Sequence, residues 1–286
     1  MRIVSAAVLP LLVASALTTA IVVAPTPVIA ASGNGTHQVE FEKMTWVEVK
    51  TALAAGKTTA LIYTGGVEQR GPQNANGGHN LMAYATVRAI AEKLGNAIFM
   101  PVLPFTPNNA NAALPGTIGI TNDLLAAILE RITEQSIVNG FKTVILMGDH
   151  GGGQPQVYKD VATKLDGKYA AQGIHVYYCD EVYTPANDAF KHYLAEHGYP
   201  LDLHGGISDT AEMLYLDKDN TWVRKNLLAT AVGDPVVDGK AQKGPNSPHN
   251  GIEGDARRAT RELGKKVFDM KVDYAVKQIE GFVKQK

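Results

Sequence analysis

Three glycine-rich stretches of this chain carry a glutamate and three histidines. Glu68 and His79 lie in GGVEQRGPQNANGGHN, His150 lies in MGDHGGG, and His204 lies in DLHGGISDT. Glycines let the backbone approach a ligand closely and leave a neighbouring imidazole unshielded. A carboxylate and two imidazoles from separate loops form the ligand set of a catalytic zinc, which keeps one position for water. Glu68 together with two of these three histidines is therefore a candidate metal-ligand set, and a water on such an ion, with its pKa lowered to about 7, is a nucleophile at neutral pH.

Each of these residues also has an ordinary interpretation. A surface or helix-capping histidine explains any one position alone, whereas three histidines in similar contexts favour a shared site. Asp209 shares its loop with His204, which favours a functional role for this carboxylate. Asp209 and Glu212 also fit the first turn of a helix, where acidic residues complement the helix dipole. Asp149 either orients an imidazole or caps the next helix, and the sequence leaves both alternatives open.

Short apolar runs and helical periods alternate along the first half of the chain. Four runs of strand length cover residues 58–64, 97–104, 143–148 and 174–179. Helical periods cover residues 46–55, 81–94, 122–139 and 156–171, with glycines near their ends. This alternation predicts an α/β fold, a three-layer sandwich with a mostly parallel central sheet. Ligands bind at the carboxyl ends of such strands, and Glu68 and His150 each follow a predicted strand.

The second half of the chain is less regular. Helices are predicted at residues 187–197 and 209–216, and a long amphipathic helix at about 255–284 follows a glycine- and proline-rich loop at 233–254. No repeat or linker divides this part of the sequence. We therefore expect a signal peptide over residues 1–30, a polar lead over 31–41 and one domain over 42–286.

The first thirty residues have the pattern of a secretory signal. Arg2 precedes an apolar stretch from Ile3 to Pro25, and PVIAAS offers small residues for cleavage near Ala30. This pattern predicts an exported protein, periplasmic or secreted, without stable membrane association after cleavage. An uncleaved anchor is the alternative, since roughly 20 apolar residues span a bilayer. The net charge of the chain is −1 and there is no basic block, so the sequence gives no reason to expect a nucleic-acid partner. The single cysteine, Cys179, cannot form an intrachain disulfide.

Five segments occur in an order that resembles one enzyme family. GGVEQRGPQNANGGH resembles a Glu-Gln-His-Gly-Pro motif followed by a Gly-Thr-Asp turn, and LPGTIGI resembles a Pro-Gly-Thr segment. GFKTVILMGDHGGGQ is similar to an Asn-Gly-His-Gly-Gly-Asn strand and loop, and LHGGISDT to a His-Ala-Gly-x-x-Glu-Thr segment. GIEGDARRATRELGKKV is similar to a closing Gly-Asp-Pro-x-x-Ala-Thr-x-x-x-Gly stretch. Together, over about residues 42–283, they resemble the creatininase family of creatinine amidohydrolase-like, metal-dependent hydrolases.

The resemblance implies a creatininase-like catalytic domain over residues 42–286. Members of the family are α/β sandwiches that usually assemble into hexamers, so we expect a homo-oligomer. Their site at the strand ends commonly holds two divalent ions and hydrolyses carbon–nitrogen bonds of cyclic or linear amides. Carried over to this sequence, Glu68 and His150 match metal-ligating residues, and His204 matches a histidine near the substrate.

Three positions depart from the family pattern. Arg70 stands in place of a ligating histidine, His79 in place of the aspartate that bridges both metals, and Asp209 in place of a glutamate. Arginine stays protonated and cannot ligate, and an imidazole usually gives one nitrogen to one metal. We therefore expect one divalent ion, zinc first and manganese or iron as alternatives, held by Glu68, His79 and His150 with Asp209 as a further candidate ligand.

The resulting prediction is a hydrolase that cleaves a C–N bond of a small amide or cyclic amide through metal-activated water. Asp209 or His204 would move protons, and Arg70 would polarise or anchor the substrate in place of a second cation. The alternative is a catalytically silent or metal-free descendant that binds a small molecule in the same cleft.

Overall fold

The two central strands of the sheet are six-residue apolar runs that are buried along their whole length. The computed structural model describes residues 38–284, and within them four parallel strands form a sheet in the order β2-β1-β3-β4. The strands are β1 (Thr59–Thr64), β2 (Ala97–Phe99), β3 (Thr143–Gly148) and β4 (His175–Tyr178). Burial on both faces explains why β1, β2 and β3 are continuous apolar runs in the sequence.

Helices cover both faces of this sheet. The α-helices of the described residues are α1 (Trp46–Ala54), α2 (Gly78–Leu94), α3 (Asn122–Val138), α4 (Gln154–Tyr169), α5 (Thr184–Glu196), α6 (Ile207–Leu216) and α7 (Arg261–Lys284), and α5 and α6 pack against α7. Successive side chains of a strand point to opposite faces. Leu61 and Ile145 accordingly pack with α2 and α7, whereas Ile62 and Val144 pack with α3 and α4. The predicted three-layer α/β sandwich is confirmed.

Several predicted boundaries were wrong, among them those of the last helix, strand β2 and helix α2. The last helix begins at Arg261 rather than at Asp255, because the Asp255 carboxylate accepts the backbone N–H of Arg257 in a local turn. Strand β2 ends at Phe99, before Pro101 and Pro104, which have no N–H for a sheet ladder. Helix α2 begins at Gly78 rather than at residue 81, so His79 lies in its first turn rather than in a loop.

Local caps fix several helix ends where the sequence predicts them. Thr45 accepts the N–H of Glu48 and completes a capping box at the start of α1. Gly95 ends α2 with φ 74°, a conformation that favours glycine.

Among residues 38–284, no helix is long and apolar enough to cross a bilayer. The predicted signal peptide lies outside the described residues, as does most of the polar lead.

Candidate metal centre

Two adjacent strands deliver the first pair of candidate ligands. β1 and β3 pair in register from Thr59 opposite Thr143 to Thr64 opposite Gly148, so their carboxyl ends lie side by side. Glu68 follows β1 and His150 follows β3, and His150 Nε2 lies 2.8 Å from Glu68 Oε2. The rule that parallel strands present ligands at their carboxyl ends therefore locates this pair correctly.

The first turn of α2 brings the second imidazole to the same carboxylate. His79 is buried, and its Nε2 lies 2.8 Å from Glu68 Oε1. This close approach depends on Gly65, where an added Cβ would overlap the side chain of Asn80, and Asn80 accepts the N–H of Gly66 at 2.8 Å. The candidate ligand atoms of Glu68, His79 and His150 all lie within 4.8 Å of one another.

The donor chemistry of this group, which we call the Glu-His-His cluster, fits a divalent ion. The other ring nitrogen of His79, Nδ1, lies 3.0 Å from Asp149 Oδ2, the carboxylate partner that metal-bound histidines commonly have. His150 Nδ1 accepts the N–H of Gly152 at 3.0 Å, so a neutral His150 carries its proton on Nε2 and donates it to Glu68. Ligation through this Nε2 has to displace that proton.

Arg70 and Asp209 form a buried ion pair beside the Glu-His-His cluster. Arg70 Nη2 lies 3.1 Å from Asp209 Oδ1, 3.0 Å from His79 Nε2 and 3.8 Å from Glu68 Oε1. The other Asp209 oxygen accepts the N–H of Gly205 at 2.7 Å. Asp209 thus contacts a guanidinium and a backbone amide and does not join the cluster in this structure. Metal ligation by Asp209 stays a prediction.

His204 lies at the open side of the Glu-His-His cluster. Its Nε2 donates to the carbonyl oxygen of Gln69 at 2.7 Å, which leaves Nδ1 with a lone pair, 3.5 Å from Glu68 Oε1. Backbone pairing with Glu253 holds the segment in place. The ring is one quarter exposed and lines a cavity of about 310 Å³. His204 is therefore accessible to a small molecule.

Sequence reasoning missed two residues of the site. Asn108 donates its side-chain amide to Glu68 Oε2 at 2.7 Å from a segment without regular structure. Lys271 is buried in α7, and its Nζ lies 2.8 Å from Asp149 Oδ1 and 2.7 Å from Glu212 Oε2. A signal existed for Lys271, because it is the one charged residue in the four-residue repeat Leu263, Val267, Lys271, Ala275, Ile279.

These contacts resolve two alternatives that the sequence left open. Asp149 orients the imidazole of His79 and does not cap α4, whose N-cap is Gly153. Glu212 is a buried partner of Lys271 and not a solvent-facing acid of a helix first turn.

The electrostatics of the site follow from this burial. Burial disfavours ionised Glu68, but hydrogen bonds from His150 and His79 outweigh it and hold the pKa of Glu68 well below its ordinary value. Burial and the charge of Arg70 both lower the pKa of His79, yet its bonds to Asp149 and Glu68 raise that pKa overall. The ion-free cluster therefore has an anionic carboxylate and an imidazole that binds a proton more readily than usual.

Fold and site together define an α/β sandwich protein whose strand ends carry the donor set of metal-dependent hydrolases. The sequence model of the creatininase family, described as creatinine amidohydrolase, matches residues 42–279, so the chain belongs to that family. Creatinine amidohydrolase of Pseudomonas putida is 23% identical over 238 residues, which cover 80% of this chain and 91% of that protein.

Solved structures show the same architecture. A creatininase structure named for Mn has a TM-score of 0.67 and 22% identity, over 85% of this chain and 98% of that one. A mutant creatininase of Zn-Zn type has the same TM-score, identity and coverage. A protein from Bacteroides fragilis, whose name gives it as a candidate creatinine amidohydrolase, has a TM-score of 0.57 and 19% identity, over 85% of this chain and 96% of that one.

Proposed function

We propose that this chain is a metal-dependent amidohydrolase that cleaves a C–N bond of a small amide or cyclic amide. The observation that supports it most strongly is the Glu-His-His cluster, formed at the strand ends of a creatininase-family domain. Glu68, His79 and His150 would hold the ion. When bound, such an ion supplies a Lewis acid and lowers the pKa of its water.

Charge balance supports one divalent ion rather than two. The site contains four carboxylates, those of Glu68, Asp149, Asp209 and Glu212, and two permanent cations, Arg70 and Lys271. When all four carboxylates are ionised, the net charge of these six residues is −2. One divalent ion would bring the net charge of these six residues to zero, whereas two ions would bring it to +2. Burial raises the pKa of Glu212, and its protonation would leave −1, for which one ion is still the closer match. Zinc is the first choice of metal, with manganese or iron as alternatives.

His204 is the residue best placed to move a proton. Its Nε2–H is committed to Gln69, so Nδ1 is the atom that accepts a proton and later returns it. Histidine suits this role because its ordinary pKa lies near neutrality. Asp209 is the second candidate for proton transfer, although its two oxygens already bind Arg70 and Gly205 in this structure.

Arg70 would take the place of a second cation. Its guanidinium is buried and oriented toward Asp209, His79 and Glu68, so it stabilises the anionic site without needing a metal. A direct contact with substrate, which the sequence led us to expect, requires the substrate to displace Asp209 from Arg70. We therefore propose that Arg70 acts mainly by holding the charge and geometry of the cluster.

Two open cavities flank the candidate metal centre. Cavities of about 310 Å³ and 450 Å³ lie on the two sides of the cluster, one lined by His204 and the other by His150 and Asn108. We propose a small amide, lactam or related ring as substrate, with creatinine disfavoured by the altered ligand positions. Export to the periplasm or outside the cell, and assembly into a homo-oligomer such as a hexamer, complete the proposal.

A second candidate is a metal-free descendant that binds a small molecule. It is favoured by the fact that each ligand atom already has a protein partner. Arg70 faces His79 Nε2 at 3.0 Å, and the Nε2 of His150 lies 2.8 Å from Glu68 Oε2. In this case the cavities would bind a ligand without hydrolysing it.

Turnover with a substrate panel separates the two candidates. The purified protein is loaded with zinc or manganese and assayed with lactams, hydantoins and linear amides. We expect hydrolysis by wild type and by E92Q, an exposed control, and none by E68Q, which removes the shared carboxylate. Binding of a panel compound without hydrolysis, in every metal, would favour the second candidate.

A further inference from the structure

A lysine is buried behind the candidate metal centre. Lys271 lies midway along α7 with 2% of its surface exposed, and its ammonium contacts Asp149 at 2.8 Å and Glu212 at 2.7 Å. Buried charges are stable only when they are paired and hydrogen-bonded. The rest of this row of α7 is apolar, so helix packing alone does not require a lysine.

Asp149 connects this lysine to the Glu-His-His cluster. One of its oxygens, Oδ1, accepts from Lys271, and the other, Oδ2, lies 3.0 Å from Nδ1 of His79. The Asp149 backbone is fixed as well, because its N–H donates to the carbonyl of Thr64 at the end of β1. The carboxylate is fully buried, so no solvent contact competes with these two bonds.

We propose that Lys271 is a positioning residue of the metal centre, which acts through Asp149 to hold His79 with Nδ1 protonated and Nε2 turned toward Glu68. The inference rests on the proposed function, since it concerns metal binding by His79. Carboxylate partners of ligating histidines fix the ring orientation and tautomer, and their loss typically weakens metal binding by about 10- to 100-fold.

Removal of Lys271 should release His79 through a definite sequence of changes. Asp149 Oδ1 and Glu212 Oε2 would lose the ammonium that they share, and Asp149 Oδ1 would keep only the hydroxyl of Tyr63 at 3.5 Å. The Asp149 carboxylate is then free to rotate away from the Nδ1–H of His79. The ring then has no fixed tautomer, and Nε2 is no longer constrained to face Glu68.

Zinc affinity measured by competition with a chromophoric chelator tests this proposal. We expect K271M to bind zinc at least about tenfold more weakly than wild type, and K271R to recover part of the loss. E212Q keeps the contact between Lys271 and Asp149 and should lose less than about threefold. K277M, an exposed change on the same helix, should match wild type. A folded K271M that binds zinc as tightly as wild type overturns the proposal.

A measurement without metal separates this proposal from the proposed function. In protein labelled with ¹⁵N-histidine, proton–nitrogen spectra of metal-free wild type should show a protonated Nδ1 for His79, assigned by its absence in H79N. That signal should be lost in K271M, and its persistence there refutes the positioning role. A wild type that binds no zinc refutes the proposed function instead. Should K271M fail to fold, K271M/E212Q removes the lysine together with its second carboxylate and carries the same expectation.

Discussion

Replacement of Arg70 by methionine tests whether the guanidinium is the internal cation of the site. Arg70 is fully buried and lies 3.1 Å from Asp209, while Nη1 already contacts the sulfur of Met213 at 3.9 Å. A methionine side chain therefore suits the surroundings, and the main change in R70M is the lost charge. Asp209 would keep only its bond from Gly205.

The size of the effect follows from burial. Removing one partner of a buried ion pair destabilises a protein by about 3–5 kcal/mol, because the remaining charge stays uncompensated. The Asp209 side chain is 21% exposed, so water relieves part of the cost. We therefore expect R70M to lose about 3 kcal/mol of unfolding free energy. The double variant R70M/D209N, which removes both charges, should recover about 1–2 kcal/mol relative to the sum of the two single changes.

Urea unfolding of metal-free protein at pH 7 measures this cycle. The four proteins are wild type, R70M, D209N and the double variant, all treated with chelator so that metal binding does not contribute. The slope of the transition should be the same in all four, which keeps the free energies comparable. Additivity of the two single changes to within about 0.5 kcal/mol would show that the two residues do not stabilise each other, and would refute the reasoning.

Three further predictions concern the loaded site. The pKa of His79 is raised in the ion-free protein, so zinc has to displace a proton from His79 at low pH. Zinc affinity, measured by competition with a chelator, should therefore rise between pH 6 and 8 by up to about tenfold per pH unit. An affinity that does not change with pH would contradict this prediction. H204Q should lower kcat by about 10²- to 10⁴-fold with unchanged metal content, since it removes proton transfer but no ligand; loss of metal would assign His204 a different role. Chelator should abolish turnover and one equivalent of zinc should restore it, whereas activity that survives complete metal removal would support metal-free chemistry.

The sequence predicted the two central strands well because they are buried along their whole length. Residues 143–148 form a continuous apolar run, and the run coincides with β3. The start of α7 was less predictable, since the turn at Asp255 depends on one local side-chain bond within a sequence that would also suit a helix.

The site was predictable where a ligand directly follows a strand. Glu68 and His150 follow from topology, and His79 from its glycine-rich context and from the family resemblance. Lys271 lies 122 residues from Asp149 in sequence, and helical periodicity places it on a face without identifying its partner. Asn108 belongs to a segment without a repeating pattern, so only the tertiary structure brings it to Glu68.

Metal content of the purified protein tests the central claim most directly. Elemental analysis and native mass spectrometry should find about one equivalent of zinc, manganese or iron per chain in wild type and in E92Q, and almost none in E68Q. Two equivalents would contradict the charge balance set by Arg70 and Lys271. No metal in wild type, after growth in metal-rich medium, would contradict the proposed metal centre itself.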